Sequence, residues 1–113
     1  MNCIRVGIIG SGFIAKQKHL PAWKKAARNA QVVALSDPNV AQAEELASAH
    51  GISKVYKDYR QMLEAEQLDV VDICSPPRTH AELAIRSLTA GAHALIEKPM
   101  LKRMNSWFAA RGL

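Results

Sequence analysis

A short glycine-rich segment directly follows an apolar run near the start of the sequence. Gly10 and Gly12 flank one serine, and Ala15 stands three positions after Gly12, which gives a G-x-G-x-x-A pattern. Gly10 permits a tight turn, Gly12 lets the backbone approach a pyrophosphate, and Ala15 allows a helix to pack closely. Amides at the start of that helix would face the phosphates, although a plain glycine-rich turn is the alternative interpretation. The residues predicted to bind a dinucleotide here are Gly10, Ser11, Gly12, Phe13 and Ile14.

A single acid follows the second apolar run, which covers residues 31–36. This acid, Asp37, stands twenty-seven positions after Gly10, where dinucleotide-binding folds place a carboxylate on the adenosine ribose hydroxyls. Such a carboxylate would repel a 2′-phosphate, and no Lys or Arg follows before Lys54 to receive one. The pattern therefore predicts NAD, with NADP disfavoured. Asp37 could also cap the helix after Pro38, and the two roles are compatible.

Two further segments end apolar runs in the second half of the chain. Ser75, Pro76 and Pro77 follow residues 69–74, and backbone groups of these three residues together with the His80 side chain are predicted to border the nicotinamide half of the cofactor. The alternative is that Thr79 caps the next helix and His80 is a solvated residue of its first turn.

The second of these segments is Glu97-Lys98-Pro99, which follows residues 93–96. A lysine at such a position can hold a substrate hydroxyl or steer a proton if its surroundings tune the ammonium group. Lys98 is therefore the candidate catalytic residue, and Glu97 is counted with the predicted cofactor-binding residues. A simply solvated lysine is the alternative.

These residues need a scaffold that brings the ends of several strands together. Apolar, β-branched runs predict strands over residues 3–9, 31–36, 55–56, 69–74 and 93–96. Helical patterns lie between them over 13–29, 41–50, 59–66 and 79–90, the first interrupted by Pro21 near Leu20. Alternating strands and helices with short loops predict an α/β fold of the Rossmann type, a doubly wound parallel sheet with the order 3-2-1-4-5.

The composition is that of one globular domain of 113 residues without a membrane-spanning run or a secretory signal, so a cytoplasmic location is expected. Residues 1–97 carry eleven Lys and Arg against ten Asp and Glu, so four of the five net positive charges lie in the last sixteen residues. A short basic tail is weak support for nucleic-acid binding. Cys3 and Cys74 lack metal or redox spacing, and the topology separates them by roughly 20 Å, too far for a disulfide.

Together these motifs resemble the glucose-fructose oxidoreductase/inositol dehydrogenase (Gfo/Idh/MocA) family over residues 3–100. The most specific part is Glu97-Lys98-Pro99 after the fifth strand. The resemblance implies NAD(P)-dependent hydride transfer on sugars, cyclitols or related hydroxyl compounds, in which the lysine of the triplet touches the reacting hydroxyl. It also implies a dinucleotide-binding domain over residues 1–100, and by position Lys98 and His80 inherit the family's roles.

The resemblance stops at residues 101–113, an atypical basic tail that looks like a shifted reading frame or a truncation. Family members continue into a β-sheet domain that supplies a proton-transferring histidine and most substrate contacts. We therefore expect cofactor binding without turnover by this chain. The fifth strand would be an unprotected edge and residues 101–108 offer a small apolar face, so a homo-oligomer is expected. A nucleotide-sensing or interaction module without catalysis is the alternative function.

Overall fold

The computed structural model describes residues 3–25 and 29–96, and these form a five-stranded sheet with helices on both faces. All neighbouring strands pair in parallel, in the order β3-β2-β1-β4-β5. The predicted fold class and strand order are thereby confirmed. The strands are β1 (Ile4–Ile9), β2 (Ala30–Ser36), β3 (Lys54–Tyr56), β4 (Val70–Ile73) and β5 (His93–Ile96).

The connections between the strands are helical, as the sequence predicts. The α-helices are α1 (Leu20–Lys25), α2 (Val40–Ala49), α3 (Tyr59–Ala65) and α4 (His80–Thr89). A π-helical turn, Ala15–His19, precedes α1, and a 3₁₀ turn, Pro77–Thr79, precedes α4. No helix in the described part of the chain is long and apolar enough to cross a bilayer.

The first helical segment is divided in two, as Pro21 predicts. The π-helical turn closes with the Leu20 amide donating to the Ala15 carbonyl, and α1 begins at Leu20. Pro21 therefore stands in the first turn of α1 and offers no N–H to the preceding π turn, so the change in the helical hydrogen-bond pattern falls next to the proline. Wide π turns often lie close to functional sites, and this one directly follows the glycine loop.

Both faces of the sheet are buried, because successive residues of each strand point in opposite directions. Val6 and Ile8 of β1 pack with Leu20 and Leu46 of the helices on one face. On the other face, Ile9 belongs to a second cluster with Met62 of α3 and Leu83 of α4. Strands buried on both sides explain the continuous apolar runs in the sequence.

The register aligns the carboxyl ends of the three central strands. Ile9 pairs with Ser36 of β2 and with Ile73 of β4. The residues that follow these three, Gly10, Asp37 and Cys74, therefore emerge at one edge of the sheet. Cys3 lies before β1, at the opposite edge from Cys74, and neither cysteine is in a disulfide, in agreement with the predicted separation.

A buried hydrogen-bonded pair, His19 and Asp72, attaches the first helical segment to the sheet. The Asp72 side chain of β4 is fully buried, and His19 Nδ1 lies 2.8 and 2.7 Å from its two oxygens. Trp23 Nε1 donates to Asp72 Oδ2 at 2.8 Å. Because the ring and the indole come from the π turn and α1, the carboxylate holds both segments against β4. No local sequence pattern indicates this cluster, because its residues are far apart in the chain.

The contact between His19 and Asp72 predicts a large stability effect from one histidine. His19→Ala removes the ring that is hydrogen-bonded to Asp72 while the Asp72 side chain stays buried, so the free energy of unfolding should fall by about 3 kcal/mol. Urea unfolding followed by circular dichroism measures this change. Lys18→Ala, at the exposed neighbouring position, is the matched control and should change stability by less than about 0.5 kcal/mol. Equal effects from the two variants would rule out a stabilising contact between His19 and Asp72.

Candidate functional site

A cleft of about 950 Å³ runs along the carboxyl edge of the sheet. Its walls come from the glycine loop, the ends of β2 and β3, and the loop after β4. Nine of the predicted site residues line it: Gly10, Ser11, Gly12, Phe13, Ile14, Asp37, Ser75, Pro76 and Pro77. His80 is not among the lining residues, and Glu97 and Lys98 lie outside the described residues.

Gly10 sits at the point where β1 and β4 come closest beyond their ends. Its φ of +103° lies in the region that favours glycine, and a Cβ there would be 2.9 Å from the carbonyl carbon of Cys74 and from the Ser75 nitrogen. The Gly10 amide donates to the Ser36 carbonyl at 2.8 Å, which ties the turn to β2 as well. The tight-turn role predicted for Gly10 agrees with this geometry.

Gly12 differs from Gly10 because space is open around it. No atom of residues 3–25 and 29–96 lies within 4 Å of the position that a Cβ would occupy, so within this part of the chain its backbone faces the cleft without obstruction. The Lys16 amide donates to the Gly12 carbonyl at 3.0 Å, which starts the helical segment, and Ala15 is fully buried at the sheet, as predicted. Phe13 is 71% exposed and presents an apolar ring at the cleft.

Asp37 connects the end of β2 to the glycine loop. Its Oδ2 accepts from the Ser11 amide at 2.8 Å and from the Ser11 hydroxyl at 2.7 Å, and its Oδ1 accepts from the Asn39 amide at 2.8 Å. The N-cap of α2 is Asn39, whose side chain accepts from the Gln42 amide. The alternative that Asp37 caps α2 is therefore wrong, and its carboxylate lies at the cleft wall instead.

The loop after β4 contains the second predicted group of residues. His80 is only 5% exposed, and its Nε2 lies 2.8 Å from the Ser75 carbonyl. Thr79 makes no side-chain bond to the α4 amides, because its hydroxyl donates to the Pro76 carbonyl at 2.6 Å. The alternative of a solvated His80 behind a Thr79 cap is wrong. His80 is a buried side chain behind the cleft wall.

Three charged residues at the end of β3 line the cleft and were missed from the sequence. The Asp37 amide donates to the Tyr56 carbonyl at 3.0 Å, so Lys57, Asp58 and Arg60 follow on the adenosine side predicted for the cleft. The Arg60 guanidinium donates two hydrogen bonds to the Asp58 carboxylate. These side-chain hydrogen bonds lower the pKa of the Asp58 carboxyl. Lys57 is exposed and pairs with no acid among the described residues. The parallel pairing of β3 with β2 could have indicated these residues, because it brings the end of β3 to the same edge of the sheet as Asp37.

His19, Asp72 and Cys74 bring one nitrogen, one oxygen and one sulfur atom within 4.8 Å of one another. Two ligands of a single zinc ion would stand about 3.3 Å apart for its usual bond lengths. The His19 nitrogen is instead at direct hydrogen-bond distance, 2.7 Å, from Asp72, and the Cys74 thiol donates to Asp72 at 3.8 Å. We interpret the three side chains as a hydrogen-bonded cluster.

Comparison with known proteins assigns the chain to a family. The model of the family GFO_IDH_MocA, described as an oxidoreductase family with an NAD-binding Rossmann fold, matches residues 4–110. The chain belongs to this family. It carries the NAD-binding Rossmann domain of the Gfo/Idh/MocA oxidoreductases, and the matched cofactor class is a dinucleotide. The family match extends ten residues past the resemblance identified in the sequence.

Relatives of this Gfo/Idh/MocA chain are longer proteins. D-glucoside 3-dehydrogenase of Escherichia coli K12 is 38% identical over 96 residues, which are 85% of this chain and 27% of that protein. The WlbA dehydrogenase of Bordetella pertussis, solved with NADH and UDP-GlcNAcA, superposes with a TM-score of 0.87 at 28% identity. That match covers 98% of this chain and 35% of WlbA.

A third relative is likewise similar in structure and longer than this chain. An NAD-binding oxidoreductase of Klebsiella pneumoniae has a TM-score of 0.85 and 32% identity, with coverage of 99% of this chain and 33% of its own. The chain thus spans about a third or less of the relatives that it matches.

An added methyl group should affect stability very differently at the two loop glycines. Gly10→Ala introduces strain at a positive φ and a backbone clash, so the free energy of unfolding should fall by about 2 kcal/mol or more. Gly12→Ala meets open space and should change it by less than about 0.5 kcal/mol. Thermal and urea unfolding measure both variants. A Gly10→Ala variant as stable as Gly12→Ala would contradict the described turn.

Proposed function

We propose that this cleft binds NAD across the point where the strand order reverses, between β1 and β4. The glycine loop would hold the pyrophosphate, Asp37 the adenosine ribose, and residues 75–77 the nicotinamide half. The observation that carries the proposal is the Asp37 carboxylate, which lines the cleft beside the open backbone of Gly12. A carboxylate can accept two hydroxyl protons, and the unobstructed loop leaves room for phosphate oxygens, so the residues present fit the group.

The preference for NAD over NADP rests on the same carboxylate. A 2′-phosphate on the ribose would place a second anion against Asp37, which costs binding energy in a partly buried cleft. Lys57 would favour NADP instead, because it is an exposed cation that lines the same cleft and could attract a 2′-phosphate. We give Asp37 the greater weight, since its position is fixed by three hydrogen bonds whereas Lys57 makes none among the described residues.

The reaction that we propose for Gfo/Idh/MocA proteins built on this domain is hydride transfer from a hydroxyl-bearing carbon of a sugar or cyclitol. The dinucleotide, when bound, supplies the hydride chemistry. Lys98, two residues past β5, would hold the reacting hydroxyl, and Glu97 would lie with the cofactor-binding residues. D-glucoside 3-dehydrogenase, a relative, supports the substrate class by its name.

Four further expectations stay predictions. They are the boundary between a binding domain over residues 1–100 and a basic tail over 101–113, the lack of turnover by this chain, the homo-oligomer and the cytoplasmic location. The apolar face over residues 101–108, expected to drive association, lies outside the described residues.

Asp37→Ala should lower the affinity for NADH by about tenfold or more, because charge-assisted hydrogen bonds to the ribose are lost. It should also narrow the preference for NADH over NADPH, since the repulsion of a 2′-phosphate disappears. Titration of both nucleotides by fluorescence measures these changes. Glu82→Gln, which removes the charge of another carboxylate of the cleft, is the control and should keep the preference. An Asp37→Ala variant with wild-type affinity for NADH would refute the assignment.

Lys98→Met should leave the affinity for NADH within about twofold of the wild type. The reason is that the contacts proposed for Lys98 are with the substrate hydroxyl, and loss of a contact that the cofactor does not make costs it no binding energy. The same fluorescence titration tests this expectation. A loss of about tenfold in NADH affinity would indicate that Lys98 contacts the cofactor and not the substrate.

A further inference from the structure

The loop between β4 and α4 is closed by hydrogen bonds within itself. The Thr79 hydroxyl donates its one proton to the Pro76 carbonyl at 2.6 Å, so the Ser75 hydroxyl must be the donor in its 2.7 Å bond to Thr79 Oγ1. His80 adds a third bond, from Nε2 to the Ser75 carbonyl. With Pro76 and Pro77 restricting the backbone, the loop is a preformed wall of the cleft.

The bond to Ser75 determines the tautomer of His80. A carbonyl oxygen only accepts, so Nε2 carries the proton, and in a neutral ring Nδ1 is then an acceptor. Nδ1 is buried and has no hydrogen-bond partner among the described residues, and the whole residue is 5% exposed. Burying an unpaired acceptor is unfavourable. We therefore look for the role of the ring in the one hydrogen bond described for it, from Nε2 to the Ser75 carbonyl.

We infer that His80 is a positioning residue that acts on the cofactor through the Ser75 carbonyl. This inference rests on the proposed function and explains how His80 can matter there without lining the cleft. The ring fixes the start of the wall formed by residues 75–77, and this wall borders only one half of the cleft. Asp37 lies on the other side of β1, because β2 and β4 flank that strand.

The separation of the two halves makes the role measurable. AMP carries only the adenosine half of NADH, so its affinity reports on Asp37 and on the integrity of the fold. NADH also needs the wall after β4. A positioning defect at His80 should therefore weaken NADH and spare AMP, whereas general misfolding would weaken both.

The test compares His80→Gln with His80→Asn in the full 113-residue chain. Glutamine can extend an amide N–H to the position of Nε2 and so keep the bond to Ser75, whereas asparagine reaches only the position of Nδ1. We expect His80→Asn and His80→Ala to lose about three- to tenfold in NADH affinity, and His80→Gln to stay within about twofold of the wild type. AMP affinity should be unchanged in all three.

Two results would overturn the role of His80. One is wild-type NADH affinity in His80→Ala and His80→Asn, and the other is a parallel loss of AMP and NADH affinity, which indicates a general structural role. Both differ from failure of the proposed function, in which the wild-type chain does not bind NADH or Asp37→Ala binds it normally. The glutamine and asparagine pair keeps the test decisive if His80→Ala does not fold.

Discussion

The close contact between the Gly10 turn and the backbone of Cys74 and Ser75 is the constraint on which the rest of the site depends. At 2.9 Å from a virtual Cβ, these backbones leave no room for a side chain. The contact closes the gap between β1 and β4 just beyond their paired ends, where the direction of strand addition changes. Helical segments leave on opposite faces from this point, and the cleft opens above it.

Two aspartates use this arrangement in different ways. Asp72 is fully buried and holds His19 and Trp23, which fixes the helical segment after the glycine loop from below. Asp37 is partly exposed and holds Ser11, which fixes the loop itself from the side. One carboxylate thus serves the scaffold, while the other remains at the surface of the cleft, where a ligand can compete for its oxygens.

Much of the fold follows from local patterns in the sequence. Apolar runs that end in Gly10, Asp37 and Ser75 placed the three central strands, and the order of β1 to β5 followed from parallel pairing and right-handed crossovers. The same reasoning located the glycine loop and the acid at the end of β2, because both depend only on the distance from a strand end.

Long-range contacts were beyond local patterns. His19 and Asp72 are fifty-three positions apart, and only the packing of the π turn on β4 brings them together. From the sequence alone, His80 could be a solvated residue in the first turn of a helix. In the structure its ring is buried and hydrogen-bonded to the Ser75 carbonyl. Lys57 reaches the cleft because the short strand β3 ends beside Asp37, and such short strands give weak sequence signals.

The central claim is that one cleft, from Asp37 across the glycine loop to Ser75, binds NADH. Amide NMR spectra of the chain, recorded with and without NADH, test this claim most directly, because each residue of the cleft reports separately. We predict that the largest shifts fall on the non-proline residues of 11–14, 37–39 and 75–79, since proline has no amide N–H. Absence of shifts, or shifts centred on the opposite edge of the sheet around Cys3 and His50, would contradict the account.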